Sequence, residues 1–297
     1  MTTRAGFIAV IGAPNAGKST LVNTMVGAKV AIVTHKVQTT RTRLLGIALH
    51  GDSQLIFVDT PGIFAPRRRL DRAMVQAAWR GAEDADLVVL VIDAAKGLDE
   101  EGERICGGLR RAGRRCLIAL NKIDRVKKPA LLALAERLGD MGIADEIFMV
   151  SALKGEGVAD LKAALADALP EGPWLFPEDQ ITDVTNRVLA AEITREKVYL
   201  RLHQELPYAS SVLTETYGEQ PDGSVRIEQL IVVERDSQKG IVIGKGGQTL
   251  KAIGAAARAE LEALLECKVH LFIRVKVDKS WAERRSHYAE IGLDYVS

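Results

Sequence analysis

Five short apolar runs, 7–11, 55–58, 87–92, 116–120 and 147–150, constrain the fold more than any other feature of the 297-residue chain. Most are unbroken, so a strand built from them is apolar on both faces. Such a strand needs cover on both sides, which a parallel sheet between two helical layers supplies. Helical stretches at 20–26, 100–112 and 129–141 separate the runs and predict the crossovers. Residues 44–50 predict an edge strand antiparallel to 54–58, turned at Gly51 and Asp52. The expected fold class is α/β, a doubly wound and mostly parallel sheet.

The pattern changes after residue 170. Pro170, Pro173 and Pro177 fall close together and break any helix. The expected organisation is a first domain over 1–172, a linker over 173–181 and a second domain over 182–297. In the second domain Asp183 predicts the cap of a helix reaching about 203. Strands follow at 211–217 and 225–235, joined by a turn at Pro221, Asp222 and Gly223. Val225, Ile227, Gln229, Ile231 and Val233 share one face of the second strand. Leu250, Ile253, Ala257, Leu261 and Leu264 have helical spacing, and Val269, Leu271, Ile273, Val275 and Val277 alternate as a third strand. A last helix is expected over 281–291, its apolar face of Trp281, Tyr288 and Ile291 docking on the protein rather than on a membrane. The order α-β-β-α-α-β predicts a three-stranded sheet covered by helices.

Charge and composition narrow the function classes. The formal net charge is +1, and from Ile181 onward there are 16 basic and 17 acidic residues. Any nucleic-acid contact must therefore rest on local patches. No apolar run approaches the roughly 18 residues of a membrane span, and the start of the chain has too short an apolar region for a secretory signal, so a cytoplasmic location is expected. Cys106, Cys116 and Cys267 are scattered and read as small apolar residues. The five histidines form no ligand cluster, and Arg67-Arg68-Arg69 reads as a solvated loop.

The chemistry lies at the ends of the apolar runs. Gly12-Ala13-Pro14-Asn15-Ala16-Gly17-Lys18-Ser19 follows the first run, and a helix begins at Thr20. In that context the glycines let backbone N–H groups turn inward toward phosphate oxygens, and the helix N-terminus favours an anion. Lys18 can reach the β- and γ-phosphates, and Ser19 can place its hydroxyl on Mg²⁺. Asp59-Thr60-Pro61-Gly62 ends the second run. Its carboxylate can hold Mg²⁺ through water, and Gly62 can turn its N–H to the γ-phosphate. Asn121-Lys122-Ile123-Asp124 ends the fourth run and Ser151-Ala152 the fifth. Asp124 can accept two hydrogen bonds from guanine that adenine cannot donate. Lys122 can lie over the base, and the backbone of Ser151 and Ala152 can donate to the guanine carbonyl.

These motifs resemble those of translation-factor-like P-loop GTPases. The resemblance implies GTP hydrolysis with Mg²⁺, a first switch over 29–43 and a switch threonine on the metal. Thr39 and Thr40 are both available, and Thr40, next to Arg41, resembles the family position better. Catalysis would then rest on Lys18, Thr40, Gly62 and Asn15. Ile63 stands where Ras-like proteins carry a water-orienting glutamine, so intrinsic hydrolysis should be slow. Related GTPases lacking that glutamine use an asparagine at the place of Asn15 to hold K⁺; the alternative is that Asn15 only hydrogen-bonds its own loop or the first switch.

Val242-Ile243-Gly244-Lys245-Gly246-Gly247 resembles the glycine loop of KH domains, with Lys239, Lys245, Lys251 and Arg258 as local positive charge. A GTPase domain followed by a KH domain, with Gln38-Thr39-Thr40-Arg41 in the switch and Phe176-Pro177-Glu178-Asp179-Gln180-Ile181-Thr182-Asp183 in the linker, resembles the bacterial Era GTPases over essentially the whole chain. The resemblance implies a monomer that binds small-subunit ribosomal RNA near its 3′ end, acts in small ribosomal subunit assembly and touches the inner membrane peripherally. Two other classes compete: a GTPase subunit of an RNA-modifying enzyme, which needs a further catalytic domain, and a membrane or cell-division regulator using the KH-like region to bind protein.

Overall fold

A computed structural model describes the chain except residues 1, 35, 37–39, 41–43, 203–205, 207–208, 286–287, 289–292 and 297. It divides into two compact units, Met1–Asp183 with Ala289–Ser297, and Val184–Tyr288.

The first unit holds a six-stranded sheet in the order β2-β3-β1-β4-β5-β6. The strands are β1 (Arg4–Gly12), β2 (Leu44–His50), β3 (Ser53–Asp59), β4 (Leu87–Asp93), β5 (Cys116–Asn121) and β6 (Ala144–Val150). All pair in parallel except β2, which runs antiparallel to β3 as its sequence predicts. Each buried strand feeds two cores. Ile8, Val10, Leu55, Phe57, Val89 and Val91 face α1 (Lys18–Val26) and α5 (Val158–Ala168) through Leu21, Val22, Leu161 and Leu165. Their neighbours Ala9, Ile11, Val88, Leu90, Ile92 and Ile118 face the other layer. That layer is α2 (Arg69–Asp84), α3 (Glu100–Arg111) and α4 (Lys128–Gly139), which contribute Ala78, Ile105, Leu109 and Leu134. Alternate side chains thus enter opposite cores, which is why the apolar runs are unbroken.

The proline-rich stretch is fastened to the edge of this sheet. The buried Gln54 side chain accepts the N–H groups of Leu175 and Phe176 at 2.8 and 3.0 Å and donates to the Phe176 carbonyl at 2.8 Å. Phe176 packs on Leu45, Ile47, Ile56 and Val58. Ile47 donates to the Ile181 carbonyl at 2.8 Å, and Thr182 donates its hydroxyl to Leu45 at 2.7 Å. Asp183 accepts the Leu45 N–H at 3.1 Å. It is therefore a staple on β2 and not the expected helix cap; that role falls to Thr185, whose hydroxyl accepts the Val188 N–H. Edge backbone that would otherwise invite another strand is covered.

The second unit runs α6 (Asn186–Arg201), β7 (Ser210–Glu219), β8 (Val225–Val233), α7 (Asp236–Ile243), α8 (Gln248–Leu265) and β9 (Val269–Val277), the expected α-β-β-α-α-β order. β7 pairs antiparallel with β8, and β8 parallel with β9. The parallel pair needs a crossover, which α7 and α8 provide. Val225, Ile227, Gln229, Ile231 and Val233 are all buried on one face, against Ile253, Ala257 and Leu261 of α8 and Leu189, Ile193 and Val198 of α6. Of the expected last helix, Trp281–Glu283 form a 3₁₀ turn, and most of the remainder, Ile291 included, lies outside the described residues. Trp281 and Tyr288 are buried within the protein, as their apolar character predicts.

Arg67-Arg68-Arg69 is not uniformly solvated. Arg69 is half-buried, its guanidinium 4.9 Å from the ring centre of Tyr295, and Arg80 pairs with Asp294. Among the described helices none is long and apolar enough to cross a membrane.

Replacing Gln54 with Ala leaves two partly buried N–H groups and a carbonyl without their partner. The first unit should lose about 2–4 kcal/mol, read by urea unfolding, and residues 173–181 should become sensitive to protease. Unchanged unfolding and digestion would show that the stretch is held by its apolar contacts alone.

Candidate functional site

The carboxyl ends of β1, β3, β4, β5 and β6 bring Gly12, Asp59, Asp93, Asn121 and Ser151 to one rim of the sheet. The chain turns outward to opposite sides of β1 there, so a crevice must open at this rim. The phosphate loop crosses it between β1 and α1. Gly17 has φ 100, and a Cβ on it would meet Nδ2 of Asn121 at 2.2 Å, so only glycine lets the loop lie this close to β5.

Asn121 braces the rim. Its Nδ2 donates to the Ala16 carbonyl at 2.8 Å, and its Oδ1 accepts the N–H groups of Lys122 at 2.8 Å and Ala152 at 2.9 Å. The side chain is buried, and the motif asparagine joins phosphate loop, base loop and the loop after β6. Thr24 of α1 adds a bond from its hydroxyl to the Ala152 carbonyl at 2.7 Å.

Two contiguous cavities lie along the crevice. The first is lined by Pro14, Asn15, Gly17, Lys18, Ser19, Thr20, Thr40 and Gly62, with Ile32, Val33 and Thr34 of the first switch. The second, of about 260 Å³, is lined by Asn121, Lys122, Asp124, Ser151, Ala152 and Leu153, and shares Asn15, Gly17 and Thr20 with the first. One cavity thus gathers the residues expected at phosphate, the other those expected at the base.

Lys18 is buried and donates to the carbonyls of Gly12 at 3.2 Å and Ala13 at 3.0 Å. Burial pulls its ammonium down to about 8, against the attraction of Asp59 and Glu101, which pushes the other way. Ser19 donates its hydroxyl to Oδ2 of Asp59 at 2.7 Å, Thr40 donates to the same oxygen at 3.0 Å, and the two hydroxyls are 3.0 Å apart. Three oxygen donors from α1, the first switch and β3 therefore converge, a set that suits a hard cation such as Mg²⁺. Of the two switch threonines, Thr40 takes part in this convergence; Thr39 lies outside the described residues.

At the base cavity, Asp124 accepts a hydrogen bond from the Ser151 hydroxyl at 2.7 Å, which holds its carboxyl below the usual carboxylate range. An ionised carboxylate is the acceptor that guanine's donor pair requires. Lys122 donates to the Asn15 carbonyl at 2.7 Å and to Asp93 at 2.6 Å. Asp93 was missed by motif reading, because a lone aspartate at a strand end carries no pattern.

The second switch begins against the phosphate loop. Ile63 donates its N–H to the Gly12 carbonyl at 3.0 Å, and its side chain is buried in the core beside α2. Position 63 thus points away from the phosphate cavity.

In the second unit the glycine loop joins α7 to α8. Gly244 has φ 76, and a Cβ there would strike the Thr249 side chain at 2.2 Å. Lys245 and Gly246 are exposed, Lys251 and Arg258 are exposed on α8, and Lys239 is half-buried on α7.

Comparison with known proteins decides the family. The chain is 57% identical to GTPase Era of Caulobacter vibrioides over 99% of its length and 97% of the relative's. It is 58% identical to GTPase Era of Rhizobium meliloti over 99% and 94%. The chain belongs to the Era family of GTPases. A family described as 50S ribosome-binding GTPase matches residues 7–122, and the KH domain family matches 205–282. Among solved structures, Era in complex with MgGDPNP and nucleotides 1506–1542 of 16S ribosomal RNA is similar at TM-score 0.93 and 37% identity, covering 98% of this chain and 99% of that one. A substituted Era of Aquifex aeolicus bound to GDP and AlF₄⁻ matches with the same score, identity and coverage. The chain is accordingly a GTPase with an α/β nucleotide-binding domain and a KH domain.

The lowered pKa of Lys18 has a measurable consequence. Above about pH 8 part of the Lys18 population is neutral, and phosphates placed beside it raise its pKa, so nucleotide binding takes up protons. Calorimetry of GDP binding in buffers of different ionisation enthalpy should show uptake approaching one proton at about pH 9 and clearly less at about pH 7.5. Absence of uptake at both values would mean that Lys18 is fully protonated before the nucleotide arrives.

Proposed function

We propose that this chain is a GTP-driven switch that binds small-subunit ribosomal RNA near its 3′ end through its KH domain and acts, as a monomer in the cytoplasm, in small ribosomal subunit assembly. The observation that carries the reading is the exposed loop Gly244-Lys245-Gly246-Gly247 between α7 and α8, in a chain similar along its whole length to an Era solved with 16S ribosomal RNA. The description of the nucleotide-binding family names the large subunit, but it covers residues 7–122 and so does not bear on what the KH domain binds. Peripheral contact with the inner membrane belongs to the same reading through the family resemblance alone, and Trp281 and Tyr288, being buried, are not its anchor.

In this reading the backbone from Gly12 to Ser19 and the Lys18 ammonium hold the phosphates, and Asp124 selects guanine. Ser19, Thr40 and Asp59 hold Mg²⁺, which when bound offsets phosphate charge. Thr40 and the Gly62 N–H respond to the γ-phosphate, so the two switches carry the nucleotide state. Nucleotide state then sets RNA affinity, and RNA alters GTP affinity by the same factor.

Gly246→Asp tests the RNA assignment. Gly246 has φ 58, a left-handed conformation that Asp tolerates, and nothing lies within 4 Å of an added Cβ, so the variant should fold. A carboxylate where phosphate passes should weaken binding of an RNA fragment from the 3′ end of the small-subunit RNA by about tenfold or more. Binding measured with GDP and with a GTP analogue reads the switch in the same assay. Wild-type RNA affinity in the folded variant would place the RNA site elsewhere, and equal affinity in the two nucleotide states would refute the coupling.

The water-orienting glutamine of Ras-like proteins is absent at position 63, where Ile63 is buried away from the crevice. Asn15 lines both cavities with a left-handed φ of 62, and its amide oxygen is suited to a monovalent cation such as K⁺. Such a cation, when bound, supplies positive charge at the phosphates. Single-turnover hydrolysis should be faster in K⁺ than in Na⁺ at equal ionic strength, and Asn15→Ala should abolish the difference. A wild-type rate indifferent to the cation, with RNA present, would leave Asn15 as a loop-bonding residue.

A further inference from the structure

We infer that Asp93 is a positioning residue for guanine nucleotide binding, acting through Lys122. The inference rests on the assignment of the second cavity to the guanine base. Asp93 is the last residue of β4 and is paired in register with Asn121, the residue before Lys122. Its buried carboxylate accepts the Lys122 ammonium through Oδ2 at 2.6 Å. The same ammonium donates to the Asn15 carbonyl at 2.7 Å. One charged group therefore ties together the ends of β4 and β5 and the phosphate loop.

The backbone on either side of this tie is constrained. Among the described residues Asn15, Lys122 and Glu266 are the non-glycines with positive φ, and the first two are joined by this bond. Left-handed backbone is disfavoured for a residue such as Lys122, less so for asparagine, and persists where neighbouring contacts hold it. The Lys122 side chain also forms part of the base cavity wall. Asp93 thus holds both the conformation of the phosphate loop at Asn15 and the course of the lysine that borders the base. It touches neither cavity wall of the crevice itself, so it works through Lys122.

Asp93 has a second job that must be separated from this one. Its Oδ1 accepts the Ala95 N–H at 3.1 Å, and its carbonyl accepts the N–H groups of Lys96 and Gly97, both at 3.0 Å. Asp93→Asn keeps an oxygen for Ala95 but removes the negative charge that faces the Lys122 ammonium. Asp93→Ala removes both.

The test is a double-mutant cycle on the full chain, with release of a fluorescent GDP analogue followed by stopped flow. Asp93→Asn should speed release and weaken affinity by about tenfold or more, the range of a charge-assisted hydrogen bond. Turnover at saturating GTP should fall by a smaller factor than affinity. In the background of Lys122→Ala the Asp93→Asn change should have no further effect. Multiplying losses in the double variant, or wild-type release from folded Asp93→Asn, overturns the inference. Loss confined to Asp93→Ala also overturns it, leaving Asp93 as a loop former. Wild type that binds ADP as well as GDP would instead remove the assignment of the base cavity.

Discussion

Burial of the central sheet on both faces is the constraint on which the first unit depends. With Ile8 and Val10 in one core and Ala9 and Ile11 in the other, β1 from Ile8 onward has no solvent-facing side chain to offer chemistry. The same holds for β4. Polar groups can emerge only where the strands stop, and in a parallel sheet the carboxyl ends stop together at one rim. Asp59, Asp93, Asn121 and Ser151 are gathered there for that reason, although they come from widely separated parts of the chain. The helix N-terminus of α1 opens at the same rim and adds its favourable field for anions.

A rim built from loops would be mobile without internal bracing. Asn121 supplies much of it, bonding to Ala16, Lys122 and Ala152 from one buried amide. Lys122 adds a charged tie from Asp93 to Asn15. These groups are costly to leave unpaired in a buried place, so each bond also specifies the loop conformation that makes it possible. The positive φ values of Asn15 and Lys122 are consequences of that specification.

The edge of the sheet is managed by a different device. β2 is a short antiparallel strand, and residues 174–183 cover it through Gln54, Phe176, Thr182 and Asp183. A stretch that reads as a linker by its prolines therefore contributes to the first unit. Proline composition reports that a helix is impossible; it does not report what the extended backbone bonds to.

The amino-acid sequence by itself determined the α/β class, the strands of the first unit with three of its helices, the element order of the second unit and the positions of the nucleotide and glycine-loop motifs. It could do so because those features are local: period, glycine placement and the residues at the end of an apolar run all lie within a few positions of one another. Tertiary structure decided the rest. It brought Thr40 to Ser19 and Asp59, turned Ile63 into the core, moved Asp183 from cap to staple, set Arg69 against Tyr295 and paired Asp93 with Lys122. Each of these joins residues far apart in the chain, and which distant groups meet is fixed by sheet order and strand register, which no local pattern encodes.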